Sequence, residues 1–363
     1  MDNAFEKSKI CFVTARNIFD APCLEKYKRV IHEPFDILYW DKSGINENCG
    51  EAKQFVFRKI INNRTGKIQK ALYYYLFSRF IIRVLKKQKY EKIIVFPTQT
   101  AWIISRFLKK HYKGKYILDI RDYAGEKAHF FYNKTKKVIN NSGLCCITSP
   151  DYKAFLPKGN YIINHNTQNV KISKNCFQKK DIENDEIVIA FIGTVRFFDI
   201  QKQFINLLKN DKRFKIMYIG KGSEIISDYC KKEKITNVET VGFFNPNEIV
   251  SFYRKTDLVL NLYGNNNGFV KHALSNKLYS AASLKIPILV SPSTYMETIV
   301  SKYKIGFSVD LNDTFCADNI YKYYNALDFN SFSLNCELFL KDISIEEKTF
   351  ADSVYNFFYG VDQ

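Results

Sequence analysis

Short apolar runs alternate with amphipathic stretches along this chain, stop at a polar interruption, and then start again. Residues 9–15 (KICFVTA), 36–40 (DILYW), 92–96 (KIIVF), 115–120 (KYILDI) and 143–148 (GLCCIT) each read as a buried strand, and 101–110 as an amphipathic helix. Runs this apolar belong in parallel sheets whose two faces are covered by helices. From 164 to 186 the chain is polar, rich in Asn and Lys, and reads as an interdomain linker. Beyond it, strands are expected at 186–192, 214–219, 238–241, 258–262 and 287–290. Helices are expected at 201–209, from Gly222 to about 232, and at 247–254, 276–284 and 294–302. Phe350, Val354, Phe357 and Phe358 fall at helical spacing and mark a closing helix at 343–359. The expected class is thus α/β, with two doubly wound parallel-sheet domains: 1–167, a linker 168–185, then 186–342, with 343–363 closing the chain. In such sheets ligands bind beyond the carboxyl ends of the strands, and the cleft between two such domains is the expected site.

Charge is the second constraint. Lys and Arg number 55 against 37 Asp and Glu, a formal balance of +18. A surface of that sign attracts phosphate-bearing partners: nucleic acid, anionic lipid or a nucleoside diphosphate. A general bias toward Lys, Asn and Ile accounts for part of the excess. With 46% hydrophobic and 25% charged residues the chain can bury a core, which excludes a disordered protein. Nine cysteines, an odd number without CxxC spacing or a nearby His pair, support neither a zinc site nor a disulfide framework. They fit a reducing compartment. Residues 1–9 are polar and the apolar run 10–13 is too short for a signal-peptide core. No stretch reaches the roughly 18 apolar residues of a membrane span. A cytoplasmic protein, soluble or peripheral on the inner face of the cell membrane, is expected.

The sharpest chemical signal is AFIGTVRFFDIQK, residues 190–202, a buried strand ending in Gly193 and followed by Arg196 and a helix. Glycine lets backbone approach a diphosphate, while a helix N-terminus and Arg196 supply donors and positive charge. A plain strand–helix turn with a surface arginine is the competing reading. Lys202 is a second cation on the helix. Gly220-Lys221-Gly222 closes the next strand; it is neither a Walker A loop nor a dinucleotide fingerprint, because Ile225 stands at the third glycine position. Further on, Ser275 and Asn276 suit a helix N-cap, and Lys277 in the first turn opposes the helix dipole unless an anionic ligand meets it.

These stretches carry a resemblance. IAFIGTVR, MYIGKGSE, VGFFNPNEIVSFYRKTDLVLNLY, SNKLYSAASLKIPILVS and YMETIVSKYKIGFSVD, over 186–312, resemble the nucleotide-sugar domain of GT-B glycosyltransferases of the group-1, family-4 type. ILDIRDY, CCITSPDYKAFLP and IINHN resemble the acceptor domain of polysaccharide-building members. The resemblance implies two Rossmann-like domains facing a cleft and a nucleoside-diphosphate sugar donor. It further implies a glycan or polyprenyl-diphosphate-linked acceptor and a role in capsule, O-antigen or similar assembly. Gly193 and Arg196 would then face the diphosphate, and Asn276 and Lys277 the nucleotide. Thr194, Lys202, Gly220, Lys221 and Leu278 complete the candidate donor set. Asp122 would lie by the acceptor or the transferred sugar, and His165-Asn166 would mark the domain crossing. The family usually carries two glutamates eight positions apart, and here those positions hold His272 and Ser280. Retention of anomeric configuration, which the resemblance implies, loses its usual sugar contact, and Glu297 in a later helix is no evident substitute.

Sugar transfer builds negative charge on the leaving diphosphate, which fixed cations can stabilise. Arg196 and Lys277 are the candidates, with Asp122 or His129 as base or positioning group; His129 also reads as a surface loop residue. No Asp-x-Asp triplet occurs, so no metal and no cofactor are expected. Residues 51–92 hold twelve Lys and Arg against Glu51 and Glu91, interleaved with aromatics. Arg58, Lys59, Lys67, Lys70, Arg79 and Arg83 are the candidates for an anionic membrane surface or acceptor, the alternative being a helix with a solvated basic edge. A basic nucleic-acid binder fits the charge, yet no such motif occurs and glycines at strand ends suit a small ligand. A sugar-nucleotide epimerase would need the missing carboxylates. A degenerate homologue that binds the donor without turnover is the remaining alternative.

Overall fold

The apolar runs become strands because each buries both faces. β1 (Ile10–Thr14) and β5 (Tyr116–Ile120) are buried along their whole length, so helices must cover both sides. With β2 (Asp36–Asp41), β3 (Gln54–Arg58), β4 (Lys92–Phe96), β6 (Leu144–Ile147) and β7 (Ile162–Ile163) they form one parallel sheet in the order β3-β2-β1-β4-β5-β6-β7. A second parallel sheet holds β8 (Ile187–Ile192), β9 (Phe214–Ile219), β10 (Val238–Val241), β11 (Leu258–Asn261), β12 (Ile288–Val290) and β13 (Gly306–Ser308), in the order β10-β9-β8-β11-β12-β13. In each the order reverses once beside the first strand, the pattern of doubly wound folds. This computed structural model describes residues 8–360 except 46, 51, 63, 123, 124, 126, 127 and 168–185; the expected linker lies outside the described residues.

The chain divides into two units, 1–165 with 346–363, and 166–345. One helix, Phe329–Tyr359, belongs to both. It starts well before the closing helix expected at 343. Phe332, Cys336, Phe339 and Ile343, spaced at three and four, bury in the core of the second unit, while Phe350 and Val354 bury in that of the first.

Other expectations need correction. The stretch 101–110 is two helices, Thr98–Ile103 and Ser105–His111, separated at buried Ile104 where φ −118 and ψ 17 leave the helical region. Phe198–Leu207 begins three residues before the helix expected at 201. His129 opens the helix His129–Ile139 and does not lie in a loop. Inside the basic segment, Gln54–Arg58 is an edge strand and Lys67–Gln88 a helix. That helix docks through Trp40 of β2, whose ring meets Tyr74 at 4.9 Å and Phe77 at 5.2 Å. The Trp40 indole also donates to the Lys59 carbonyl at 2.8 Å, which fixes where β3 ends.

Candidate functional site

In the second unit the strand order reverses between β8 and β11, so a ligand is expected past the ends of those strands. Gly193 leaves β8 at φ 120, and beyond its chain neighbours no heavy atom lies within 4 Å of where a side chain would start. The strand ends under open space. Gly220 differs: a Cβ there would sit 2.3 Å from the Gly193 carbonyl oxygen. Both glycines carry positive φ, but only Gly220 is also demanded by packing. Gly220→Ala is expected to cost about 1–3 kcal/mol through that overlap, on top of the backbone strain both positions share. Urea unfolding of Gly220→Ala and Gly193→Ala tests this, and equal losses would contradict it.

Thr194, Arg196 and Lys221 are exposed, and among the described residues Arg196 meets no carboxylate. Phe197 follows at φ 55, a left-handed conformation that costs a bulky residue about 1–2 kcal/mol. Strain of that kind collects at ligand sites. The Phe197 ring lies 5.4 Å from that of Tyr263, in the loop after β11.

Lys277 is the surprise. Its helix, Asn276–Ser283, is capped by Ser275, whose hydroxyl accepts the Lys277 amide. The side chain is buried rather than solvated. Its ammonium donates to the Tyr263 hydroxyl at 2.6 Å and lies 3.9 Å from the Phe191 ring centroid. Among the described residues no carboxylate reaches it. The ammonium is thus a buried cation held by a phenol and an aromatic face at the reversal point of the sheet. Phe191 and Tyr263 were not singled out by the sequence reading, since neither is a charged or motif residue.

The remaining candidates of this unit separate. Lys202 is half-buried with its ammonium 5.2 Å over the Tyr229 ring. Leu278 is fully buried in the apolar core. Asn276 is half-buried beside the Ser275 cap. Ser280 and His272 are both buried, and the Ser280 side chain hydrogen-bonds Tyr253. Glu297 accepts from the Ser308 hydroxyl at 2.6 Å and the Ser293 amide at 2.7 Å, so its carboxylate ties the turn before its own helix to the end of β13.

In the first unit, Asp122 follows β5 and pairs with Arg16, just past β1, at 2.7 Å. Arg16 also stacks over Phe96 at the end of β4, so the pair marks the first sheet's reversal point. Beneath it lies fully buried Asp119, which accepts from the Tyr27 hydroxyl at 2.8 Å, Asn164 at 2.9 Å and Arg121 at 3.0 Å. The loops after β1 and β2 are tied together. Asn17 donates to Asp41 at 3.0 Å, and Glu47 accepts the Ile18 and Phe19 amides at 3.0 and 2.7 Å. Arg16, Asp41 and Glu47 were missed because their partners are distant in sequence. His129 is exposed and bonds Asn133 one helical turn on. His165, the last residue of the first segment of this unit, is buried against Glu346; its carbonyl and Glu347 both accept from Lys26. Burial lowers the Lys26 ammonium from its usual range while Glu347 opposes the shift. Asn166 begins the second unit.

Of the six basic candidates, Arg58, Lys59, Lys67, Arg79 and Arg83 are exposed and Lys70 is half-buried. Among the described residues no group of three or more His, Cys, Asp or Glu gathers into a metal site, and no helix is long and apolar enough to cross a membrane. The described cysteines are free and buried, and burial pushes the Cys23 thiol up to about 12; they serve as small hydrophobes.

No family model and no curated protein matches the chain. Solved structures do. Sucrose-phosphate synthase of Thermosynechococcus elongatus superimposes with a TM-score of 0.64 at 10% identity, covering 96% of this chain and 95% of that one. HepE of Anabaena, solved in complex with UDP, gives 0.65 at 11% identity over 95% and 99%. The lipopolysaccharide outer core galactosyltransferase WaaB, in its apo form, gives 0.60 at 14% identity over 96% and 99%. Together with the strand orders of the two sheets, these likenesses establish that the chain has the two-domain, Rossmann-like GT-B fold.

Proposed function

We propose that this protein is a glycosyltransferase that takes a sugar from a nucleoside-diphosphate sugar held by its second unit. One observation carries the proposal: at the end of β8, open space over Gly193 meets an exposed Arg196 with no carboxylate partner among the described residues, and a buried Lys277 ammonium stands at the same reversal point. The UDP bound to HepE, a protein of like fold, supports the same ligand class. As the glycosidic bond to the donor breaks, charge grows on the leaving diphosphate, and preorganised cations stabilise it more than they stabilise the ground state. Arg196 and Lys277 supply those cations without a metal. In the first unit, Asp122 positions the acceptor hydroxyl or takes its proton, with Arg16 orienting the carboxylate. The acceptor is a glycan or lipid-linked glycan of a surface polysaccharide, reached from the cytoplasmic side. The basic helix Lys67–Gln88 brings the protein to an anionic membrane surface.

The test is calorimetric titration with UDP-, GDP- and dTDP-sugars in EDTA, for the wild type and Arg196→Ala. One donor is expected to bind, and to weaken about 10- to 150-fold in the variant, the range of a charge-assisted hydrogen bond worth about 1.5–3 kcal/mol. Because Arg196 is exposed, the variant should fold normally. Absence of binding to every donor, alongside salt-sensitive binding of nucleic acid, would overturn the proposal.

A further inference from the structure

The loop that carries Asp122 leaves the end of β5 and runs into the helix His129–Ile139. Past its first turn that helix behaves as an amphipathic helix does, burying Thr135, Val138 and Ile139. In the first turn the large apolar side chains point the other way: Phe130 is 65% exposed and Phe131 37%. A single exposed apolar side chain is ordinary. These two belong to a stack. The Phe131 ring lies on that of buried Trp102 at 4.9 Å and 22°, and the Phe130 ring stands against Phe131 at 5.4 Å and 74°. Trp102 is fixed in turn, because its indole donates to the Thr135 hydroxyl at 3.1 Å and that hydroxyl donates to the Phe131 carbonyl at 2.9 Å. Three rings therefore run outward from the core, and packing from behind holds the outermost one at the surface.

The stack is joined to the Asp122 loop. A side chain on Gly125 would begin 3.7 Å from the Phe131 ring, and the Ala128 amide closes a turn onto the Gly125 carbonyl at 3.0 Å. Gly125 lies three residues past Asp122, at most about 11 Å of extended chain and so within reach of a short glycan. Polar groups border the outer ring. The Lys134 ammonium, one helical turn on, lies 5.2 Å over Phe130, and no carboxylate pairs with it among the described residues. On the next line of the helix, His129 and Asn133 bond each other at 3.2 Å. A pyranose offers the complement to such a surface. Its C–H face, slightly positive, meets the negative face of an aromatic ring, while the hydroxyls around its rim take hydrogen bonds. A purely apolar partner would instead cover the lysine, imidazole and amide without giving them anything to bond.

We propose that Phe130, backed by Phe131 and Trp102, is a platform on which the first unit lays a pyranose ring of its acceptor, with Lys134 and the His129–Asn133 pair at the hydroxyls. Calling that sugar the acceptor rests on the glycosyltransferase proposal and on the role given there to Asp122; the carbohydrate binding itself does not. The platform narrows the acceptor to one that brings a sugar ring to the loop after β5. It also gives His129 a part in holding that sugar, next to the ring, in place of proton transfer.

The full chain is titrated with methyl glucoside, methyl galactoside and methyl mannoside, and with sorbitol as a polyol that has no ring face. Saturation passed from the aromatic protons of the protein to each ligand is read by NMR. At least one glycoside is expected to take up saturation, and sorbitol none. Phe130→Ala should weaken that glycoside at least about fivefold, while Phe130→Trp, which keeps a ring there, should stay within about twofold of the wild type or bind tighter. Phe19→Ala is the control: Phe19 is 58% exposed in the loop after β1 and joins no ring stack among the described residues, so its loss should change nothing. Both positions are exposed, and the variants should fold. No uptake by any glycoside, equal uptake by sorbitol, or unchanged uptake in Phe130→Ala overturns the inference. So does a Phe130→Ala that loses only binding to phosphatidylglycerol vesicles, since the rings would then be a bilayer contact. Donor titration of the same samples separates the two proposals. A chain that binds a glycoside on Phe130 but no nucleoside-diphosphate sugar sinks the donor proposal and keeps the platform, and a chain that binds a donor but no glycoside does the reverse.

Discussion

Asp119→Ala should destabilise the first unit by about 3–5 kcal/mol, the usual cost of removing one partner from a buried ion pair. Asp119 is fully exposed to nothing but protein: the Tyr27 hydroxyl, the Asn164 amide and the Arg121 guanidinium all end on its carboxylate. Alanine would leave each of those buried donors short of an acceptor, and unmet buried donors cost more than the hydrogen bonds contribute when made. The cluster also ties β5 to the segment after β7 and to the helix Leu24–Val30, so three elements lose a common anchor. Both tryptophans, Trp40 and Trp102, belong to the first unit, which makes tryptophan fluorescence during urea unfolding a report on that unit. A midpoint shift worth less than about 1 kcal/mol would show that the cluster is held by other contacts. Asp119→Asn should fall between, since an amide oxygen still accepts from Tyr27 or Asn164 but no longer offsets the charge of Arg121.

On the role proposed for Asp122, that cluster has a functional consequence. The Arg121 carbonyl accepts from the Tyr152 hydroxyl at 2.7 Å, so the backbone just before Asp122 is held from both sides. Asp122 therefore meets Arg16 from a fixed platform, and a loosened Asp119 variant should lose activity beyond what its folded fraction explains.

Periodicity and apolar content were enough to find nearly all the interior strands, because a strand buried on both faces has few ways to look like anything else. β3 hid inside a segment whose charge drew attention first, since at a sheet edge it is only half-buried and its sequence QFVFR carries a cation. The helix Phe329–Tyr359 was cut short because its first half is amphipathic among many polar residues, and only its partners in the second unit reveal the stripe. The site divides in the same way. Gly193 and Arg196 stand out as candidates in the sequence because a strand-ending glycine followed by a cation is a local pattern. Arg16 was not, because its meaning comes from Asp122, which lies 106 residues away. Tyr263 and Phe191 were invisible for the same reason: an aromatic residue at a strand end is ordinary until a lysine points at it. Leu278, placed in the donor set with its neighbours in the motif, is a fully buried core residue, which the motif alone does not reveal.

Lys277→Met separates a functional lysine from a structural one, because the two roles predict opposite results. Methionine keeps much of the aliphatic stem and fills most of the same space, so the packing against Phe191 and Tyr263 survives. What disappears is a buried charge with no carboxylate among the described residues, a group whose desolvation is repaid only by a phenol and aromatic faces. Stability in the absence of ligand is therefore expected to stay within about 1 kcal/mol of the wild type or to rise. Binding of the proposed nucleoside-diphosphate donor should weaken about 10- to 150-fold, because a charge-assisted contact worth about 1.5–3 kcal/mol is gone. Lys277→Ala, which also leaves a void, should lose stability and binding together, and the difference between the two variants isolates the charge. Thermal unfolding and donor titration on the same preparations decide the matter. If Lys277→Met lost more than about 2 kcal/mol of stability and bound donor as the wild type does, the ammonium would be part of the core's own hydrogen bonding. The simultaneous gain in one property and loss in the other is what a protein shows when it keeps a destabilising charge for the sake of its ligand.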